Sequence, residues 1–196
     1  MFYPEKAVVP ETLQTEEFLV RPLRATDVEL DYEAVITSRA ELFLRSEGSW
    51  PREGFTLEEN LADLVEHEQE HLARVAFTYT VMNPAETQCL GCLYSNPLRP
   101  LLQEAALSVE HIPAESAYVT FWVRQSRLPD YLDRRLLQAL MAWFQAEWAF
   151  SQVAFVAKKA QARQIRLFEE VGMQLRYTLP KSVVYFPLHD NTSPSA

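Results

Sequence analysis

The spacing of hydrophobic and polar positions predicts a strand followed by two helices in the first part of the chain. Residues 18–23 alternate as a half-buried strand does, and helical spacing follows over residues 26–45 and 56–74. Both helices begin with a threonine that has a glutamate three residues further on, in Thr26–Glu29 and Thr56–Glu59. This is the spacing of a capping box, in which the two side chains bond to otherwise unpaired backbone amides.

The period then changes from that of a helix to that of a strand. Residues 76–81 and 88–94 are rich in aromatic and β-branched side chains and predict a hairpin of two strands. Residues 96–116 contain three prolines and predict an irregular segment. Residues 118–123 predict a further strand, which is apolar enough to lie near the centre of a sheet.

The remaining pattern predicts two more helices and three more strands. Residues 132–148 carry the strongest helical stripe of the chain, and residues 153–157 form an apolar run typical of a strand covered on both faces. A short helix over residues 161–171 ends before a glycine, which is a common end of a helix. Two final strands are predicted over residues 174–178 and 182–188.

This order of elements predicts one mixed-sheet α/β domain over residues 1–196. We find no internal repeat and no linker that divides the chain, and 196 residues suit one domain of ordinary size. Residues 1–16 are interpreted as an N-terminal arm. Residues 189–196 are rich in Ser, Thr and Pro and are predicted to form a disordered tail.

Composition and charge narrow the classes of partner. The net charge of -9 argues against nucleic acid and favours a cationic substrate such as an amine. The sequence contains no run of about 18 apolar residues, so no membrane span is predicted. The acidic N-terminus does not resemble a signal peptide. With two cysteines, the cytoplasm is the expected compartment.

Glycine is scarce, and its distribution excludes one kind of phosphate site. The chain has four glycines, at positions 48, 54, 91 and 172, and no two lie within five residues of each other. A glycine-rich loop that wraps phosphate groups with backbone amides is therefore absent from the sequence.

Three segments together resemble the GNAT superfamily of acyl-CoA-dependent N-acetyltransferases. Val20–Asp27 looks like the R-P-x-x-x-x-D opening of that family, and Trp122–Arg124 with the following amphipathic helix takes the place of its acyl-CoA segment. Gln161–Met173 is similar to the family's N-x-x-A-I-x-L-Y-E-K-x-G-F segment. The resemblance covers roughly residues 18 to 188.

The resemblance implies a fold, a cofactor and a reaction. It implies a single GNAT-like domain whose mixed, mostly antiparallel central sheet is flanked by helices and contains a splayed pair of central strands. The pantetheine arm of acetyl-CoA or another acyl-CoA would pair with the exposed edge of the strand over residues 118–123. The acceptor would be an amine of a small molecule or a protein, no metal is expected, and a homodimer is compatible with the aromatic content.

The family's matching positions imply which residues bind the acyl-CoA, although no catalytic residue is identified. The implied cofactor-binding residues are Trp122, Val123, Arg124, Arg127, Asp130, Tyr131, Gln161 and Phe168. The loop departs from the family's Q/R-x-x-G-x-G/A pattern, because Pro129 and Tyr131 replace both glycines. Phe168 stands where many members carry a tyrosine that protonates the leaving thiolate, and phenylalanine has no proton to donate.

The sequence does not identify the general base. The strand over residues 118–123 has no carboxylate and no histidine. Glu110, His111 and Glu115 precede it and could fold over a site, although charged residues in such a segment are more often solvated.

Two alternatives to an acyltransferase remain. The first is a degenerate GNAT fold that is kept for binding or regulation without catalysis. The second is a zinc protein, because His67 and His71 satisfy the H-E-x-x-H pattern and could join Cys89 and Cys92 around one ion. That joint site would need a bulge at Gly91, because residues three apart on a regular strand face opposite sides. A solvated helix face and two buried small cysteines are the simpler interpretation.

Overall fold

The computed structural model describes residues 2–188, and the predicted tail at residues 189–196 lies outside them. The strands are β1 Leu13–Gln14, β2 Leu19–Pro22, β3 Phe77–Met82, β4 Cys89–Pro97, β5 Ser116–Val123, β6 Gln152–Lys158, β7 Gln174–Thr178 and β8 Ser182–Phe186. The helices are α1 Val28–Thr37, α2 Arg39–Arg45, α3 Leu57–Leu72, α4 Leu98–Glu104, α5 Leu132–Glu147 and α6 Ala162–Glu170. Within residues 2–188, no helix is both long enough and apolar enough to cross a bilayer.

All eight strands form one sheet in the order β1-β2-β3-β4-β5-β6-β8-β7. Every neighbouring pair is antiparallel except β5 and β6, which are parallel. Their ladder joins Ser116–Val119 to Gln152–Phe155 and ends there, although β5 continues to Val123 and β6 to Lys158. The two strands therefore separate into a V, which we call the gap. This confirms the expected mixed, mostly antiparallel sheet with a splayed central pair.

Helices cover both faces of this sheet, and alternate residues of the central strands contact each layer. Phe121 belongs to the core cluster that includes α5 and α6, whereas its neighbour Trp122 belongs to the cluster with α1 and α3. On the same face as Trp122, α4 packs through Leu98 and Leu102 on Val156 of β6. The gap consequently opens toward α5 and α6 on one face and toward α1 to α4 on the other.

The first predicted helix is divided, and its predicted cap is wrong. Thr26 lies inside a 3-10 turn, and α1 begins after Asp27. The reason is tertiary, because the Asp27 carboxylate accepts hydrogen bonds from the buried Arg21 guanidinium at 2.7 and 2.9 Å. A second break at Ser38 separates α1 from α2, and the Ser38 hydroxyl accepts a hydrogen bond from the Gln125 N–H at 3.0 Å.

The other capping box is confirmed. The Glu59 N–H donates to the Thr56 hydroxyl at 3.2 Å, and the Thr56 N–H donates to the Glu59 carboxylate at 2.9 Å. The prediction of an irregular segment over residues 96–116 is wrong in its first part, where α4 forms. Pro100 is compatible with this helix because it lies in the first turn, where a backbone N–H has no helical partner.

A bulge in β4 changes which side chains share a face. Val81 is opposite Gly91 and Met82 is opposite Cys89, so β4 holds one extra residue at this point. Cys89 and Cys92 therefore face the same side, contrary to the expectation from a regular strand. A side chain at Gly91 would place its Cβ 2.0 Å from the Trp122 carbonyl oxygen, so only glycine fits.

We expect Gly91→Ala to destabilise the fold by about 2–3 kcal/mol, because the backbones of β4 and β5 must move apart to admit the methyl group. Gly172→Ala is the matched control, since Gly172 has a φ of +81° but no atom within 4 Å of its Cβ position. Its cost should be only about 1 kcal/mol, from the left-handed backbone alone. Urea unfolding of both variants measures the difference, and equal losses of stability would contradict this account.

Candidate active site

The edge of β5 that borders the gap carries free backbone groups. The Arg124 N–H donates to the Leu90 carbonyl of β4 at 2.7 Å, so this end of β5 pairs with β4 through alternate residues. By the same alternation, the N–H and C=O groups of Phe121 and Val123 point away from β4 and toward the gap. An extended ligand could bond to these groups as an added strand would.

Arg45, at the end of α2, reaches across to this edge. Its guanidinium donates to the Phe121 carbonyl at 3.1 Å and to the Thr120 hydroxyl at 2.8 Å. The same group lies 5.0 Å from the centre of the Tyr94 ring, a distance typical of a cation–π contact. Burial lowers the pKa of Arg45 from its usual value, because the charged form loses solvation.

Two cavities on the α1 to α4 face meet at Arg45 and Tyr94. The strand cavity has a volume of about 280 Å³ and lies over β5 and β6. Its polar lining includes Tyr118, Thr120, Lys158 and Gln161, and its charged side chains are Arg45 and Lys158. Burial raises the pKa values of the Tyr94 and Tyr118 hydroxyls, which therefore stay protonated.

The helix cavity lies between α1, α3 and β4 and has a volume of about 350 Å³. Four carboxylates line it, from Asp31, Asp63, Glu66 and Glu70. Burial raises the pKa values of Asp31 and Asp63. His67 also lines this cavity, with its Nδ1 3.2 Å from the Glu70 carboxylate and its ring 5.4 Å from that of Tyr94. The helix cavity therefore suits a cation, whereas the strand cavity does not.

A third cavity, of about 360 Å³, lies between α5 and α6 on the opposite face. Arg134, Arg163 and Arg166 line it together with Tyr131. Arg163 forms two hydrogen bonds with the Asp133 carboxylate, at 2.7 and 3.0 Å. Asp133 and Glu170 also line this cavity, so three arginines face two carboxylates there and the lining keeps a net positive charge.

The loop before α5 reaches a glycine-like shape without glycine. Tyr131 precedes the helix with φ 57° and ψ 31°, the left-handed conformation that glycine favours. Its N–H donates to the Leu128 carbonyl at 3.1 Å, and Arg127 pairs with Asp130 at 3.0 Å. The loop is thus closed by its own contacts.

Comparisons with known proteins agree on the fold. No protein-family model and no curated protein matches the chain. Among solved structures, ribosomal-protein-S5-alanine acetyltransferase from Vibrio fischeri is similar with a TM-score of 0.66 and 14% identity, over 94% of this chain and 100% of that one. Microcin C7 self immunity acetyltransferase MccE, in complex with acetyl-CoA and AMP, has a TM-score of 0.69 and 10% identity, over 93% and 99%. A putative GNAT-family acetyltransferase from Bordetella pertussis has a TM-score of 0.62 and 12% identity, over 90% and 98%.

The chain has the GNAT fold. The expected fold is thereby confirmed, and the GNAT resemblance of the sequence agrees with the arrangement in space. At these identities the comparisons concern the fold, so the roles of individual residues depend on the geometry of this chain.

The residues that the GNAT resemblance implies as cofactor-binding are spread over several environments. The backbone of Val123 borders the gap, and Gln161 lines the strand cavity while its side-chain oxygen accepts a hydrogen bond from the Lys158 N–H at 2.9 Å. Trp122 is buried and donates through its indole N–H to the Tyr94 hydroxyl at 3.3 Å. Phe168 is fully buried in the core, with its ring 6.1 Å from that of Phe155.

The charged members of the predicted set already have partners. Arg124 is buried, and its guanidinium donates to both oxygens of Glu33 on α1 and to the Cys89 carbonyl. Arg127 and Asp130 pair with each other, and Tyr131 lies under the Arg163 guanidinium at 5.7 Å. A phosphate group would therefore compete with Glu33 for Arg124 and with Asp130 for Arg127.

Sequence reasoning did not single out Arg45, Tyr94, Arg134, Arg163 or Arg166. For Arg163 and Arg166 a signal was present, because the two lie one turn apart on the short helix of the Gln161–Met173 segment. Arg45 carries no local signal, because its partners are about 75 residues away along the chain.

The histidines of the H-E-x-x-H pattern diverge. His67 lines the helix cavity, but the His71 Nδ1 lies 3.2 Å from the Thr78 carbonyl and its ring packs on Phe77 and Tyr79. Within residues 2–188, the group of three side chains close enough to hold a metal is Asp31, Cys89 and Cys92, without a histidine. The two thiols lie 3.9 and 3.4 Å from the same Asp31 oxygen, as hydrogen-bond donors would.

The three candidates for a general base that precede β5 lie away from both cavities on this face. His111 is exposed, and its Nε2 lies 3.0 Å from the Tyr177 hydroxyl. Glu110, His111 and Glu115 line neither the strand cavity nor the helix cavity.

We expect His71 to make the fold sensitive to mild acid. Burial lowers the pKa of His71, so the folded protein binds a proton less readily than the unfolded chain does. The contribution of His71 is therefore complete above the unfolded pKa of about 6.5 and is lost as the pH falls toward the lower folded value. In His71→Gln, the unfolding free energy should depend less on pH between about 7.5 and 5.5 than in the wild type.

Urea unfolding at three pH values across that window measures this effect. His111→Gln is the control, because it makes the same replacement at an exposed histidine. Parallel pH dependences for the wild type and His71→Gln would contradict the assignment.

Proposed function

We propose that the protein is an acyltransferase that moves an acetyl group from acetyl-CoA, or another acyl group from its CoA thioester, to an amine of a small molecule or a protein. The observation that carries this proposal is the gap between β5 and β6. It is bordered by backbone groups of Phe121 and Val123 that point away from β4, with an arginine-lined cavity on one face and an acidic cavity on the other.

The cationic cavity between α5 and α6 is the proposed place of the phosphates. Arg134, Arg163 and Arg166 supply charge there, and the N-terminus of α5 adds the positive end of its dipole. Asp130 and Tyr131 form the adjoining loop, while Pro129 offers no amide donor. Side chains would therefore bind the pyrophosphate where many proteins use glycine amides. The complex of MccE with acetyl-CoA supports the cofactor class.

The pantetheine arm would then pass through the gap. Its amides would pair with Val123, and the thioester would lie beside Phe121, whose N–H could stabilise the oxyanion formed on attack. The side chains of Trp122 and Gln161 lie next to this path, whereas Phe168 packs beneath β6 in the core. Arg45 would have to release the Phe121 carbonyl, or share it, when the thioester is bound.

The acidic helix cavity is the proposed path of the acceptor. An amine with a pKa of about 10.4 arrives protonated, and carboxylates such as Glu66 attract it. The dyad of His67 and Glu70 could accept the proton, directly or through water. The neutral amine attacks the thioester carbon, and the carbon–sulfur bond breaks. The Tyr94 or Tyr118 hydroxyl can protonate the leaving thiolate, and the proton that the new amide nitrogen loses would then restore that hydroxyl. Such a hydroxyl would do the work of the tyrosine that many GNAT members carry at the position of Phe168.

A second candidate is a GNAT fold that binds ligands without catalysis. Two observations favour it: Arg45 bonds to the edge that the thioester needs, and Asp133 occupies Arg163. Binding of acetyl-CoA without transfer to any amine would support this candidate over the first.

The expected compartment and assembly remain predictions. Cys89 and Cys92 are buried free thiols, which is compatible with the reducing cytoplasm. The homodimer is a further prediction, and sedimentation velocity would test it.

We expect acetyl-CoA to bind to the wild type and to raise its melting temperature. The double variant Arg163→Gln/Arg166→Gln should bind acetyl-CoA about 10- to 100-fold more weakly, because it loses charge-assisted hydrogen bonds. Calorimetric titration at two salt concentrations measures both affinity and the charge contribution. Arg176→Gln is the matched control, because Arg176 is exposed on β7 and lines a different cavity.

The wild type should also lose affinity at high salt, and the double variant should lose less. No heat and no thermal stabilisation of the wild type at millimolar acetyl-CoA would overturn the proposed cofactor. Unchanged affinity in the double variant would show that the phosphates do not bind in the α5–α6 cavity.

A further inference from the structure

Arg45 is partly buried, and it differs from the two buried arginines, Arg21 and Arg124, in the groups that surround its charge. Arg21 pairs with Asp27 and Glu86, and Arg124 pairs with Glu33. Within residues 2–188, Arg45 has no carboxylate at ion-pair distance, and its partners are a carbonyl, a hydroxyl and the ring of Tyr94.

A partly buried guanidinium without an anion is less stable than one that is paired. The charge has lost much of its solvation, and neutral acceptors restore only a part of it. A guanidinium has five N–H groups, of which two find acceptors in the described part of the chain. The guanidinium therefore has donors and charge available for an anion that residues 2–188 do not supply.

The position of Arg45 indicates where that anion comes from. Arg45 lines both the strand cavity and the helix cavity, so a ligand can reach it from either side. The strand cavity contains Lys158 and no acidic side chain. The helix cavity, in contrast, is lined by four carboxylates. Opposite charges thus lie on the two sides of the contact between Arg45 and Tyr94.

We propose that Arg45 binds a carboxylate of the acceptor, so that the acceptor is a small zwitterion of the α-amino acid type. The carboxylate would lie at Arg45 on the side of Lys158, and the ammonium would point toward the helix cavity. Because one carbon separates the two groups in an α-amino acid, the amine would also lie next to Phe121 and the gap. This inference rests on the proposed function and narrows its acceptor.

The same arrangement disfavours the terminus of a protein as acceptor. The N-terminal amine of a polypeptide is followed by a neutral amide, which cannot compensate the charge of Arg45. The acceptor class would therefore differ from the ribosomal protein S5 named for the Vibrio fischeri neighbour.

The test compares three forms of each common amino acid: the free acid, its carboxamide and the decarboxylated amine. Transfer from acetyl-CoA is followed by thiol release, and binding is followed by thermal shift without acetyl-CoA. We expect at least one free acid to be acetylated, with kcat/KM about 10- to 100-fold above that of its carboxamide, chiefly through KM. In Arg45→Gln this ratio should fall toward one, and Arg45→Lys should retain a part of it.

Lys181→Gln is the matched control, because Lys181 is exposed, pairs with Glu47 at 3.2 Å and lines neither cavity. Its acid-to-amide ratio should equal that of the wild type. If Arg45→Gln does not fold, the wild-type ratio decides alone.

The inference is overturned if carboxamides or decarboxylated amines react as well as acids, if no acid binds or reacts, or if folded Arg45→Gln keeps the preference. Failure of the proposed function has a different signature. If acetyl-CoA does not bind, that function fails, whereas thermal shift by acids but not amides would still support the carboxylate site at Arg45.

Discussion

The end of the β5–β6 ladder at Val119 and Phe155 is the constraint on which the rest of the structure depends. Two parallel strands that separate leave backbone groups without partners, and such groups must be satisfied by something else when they are buried. On one face Arg45 bonds to the free edge of β5. On the other, α5 packs on Phe121 and begins at the loop that leaves the open end. The strand cavity is lined by both of the separating strands, through Tyr118 and Thr120 of β5 and Val156 and Lys158 of β6.

Two ion pairs, each with a buried arginine, then determine where α1 lies in relation to this gap. Arg21 in β2 holds Asp27 at the start of α1, and Arg124 at the end of β5 holds Glu33, which lies further along the same helix. A helix fixed at two points along its length brings Asp31, between them, onto the bulge of β4 and into the wall of the helix cavity. Breaking a buried pair leaves an uncompensated charge, so these contacts keep the acceptor side in position. This is also why Arg124, though next to the gap, has a structural partner.

The sequence predicted the fold well where local patterns decide it, and the site poorly where distant residues do. The stripe of α5, the capping box at Thr56 and the Gln161–Met173 segment depend on neighbours within a few residues, and each formed as expected. The bulge that brings Cys89 and Cys92 to one face depends on the contact between Gly91 and Trp122 of the next strand. The exposed backbone groups of the gap could be predicted from the expected topology. The side chains around the gap belong to α2, α3 and α6, and nothing in their order along the chain indicates that they lie close together.

The loop without glycines illustrates how one feature can change its chemistry and keep its shape. Tyr131 adopts the left-handed backbone that a glycine would adopt, at an energetic cost that its stacking under Arg163 can offset. Without glycines the loop has fewer backbone amides that can approach a phosphate closely, but a group of arginine side chains lies beside it. Arginine donors act at longer range than amides, and Asp133 and Glu170 already compensate two of them. Phosphates must displace these carboxylates, so binding at this loop would depend on a balance of charges that salt can shift. An amide cradle, whose donors carry no counterion, would lack that dependence.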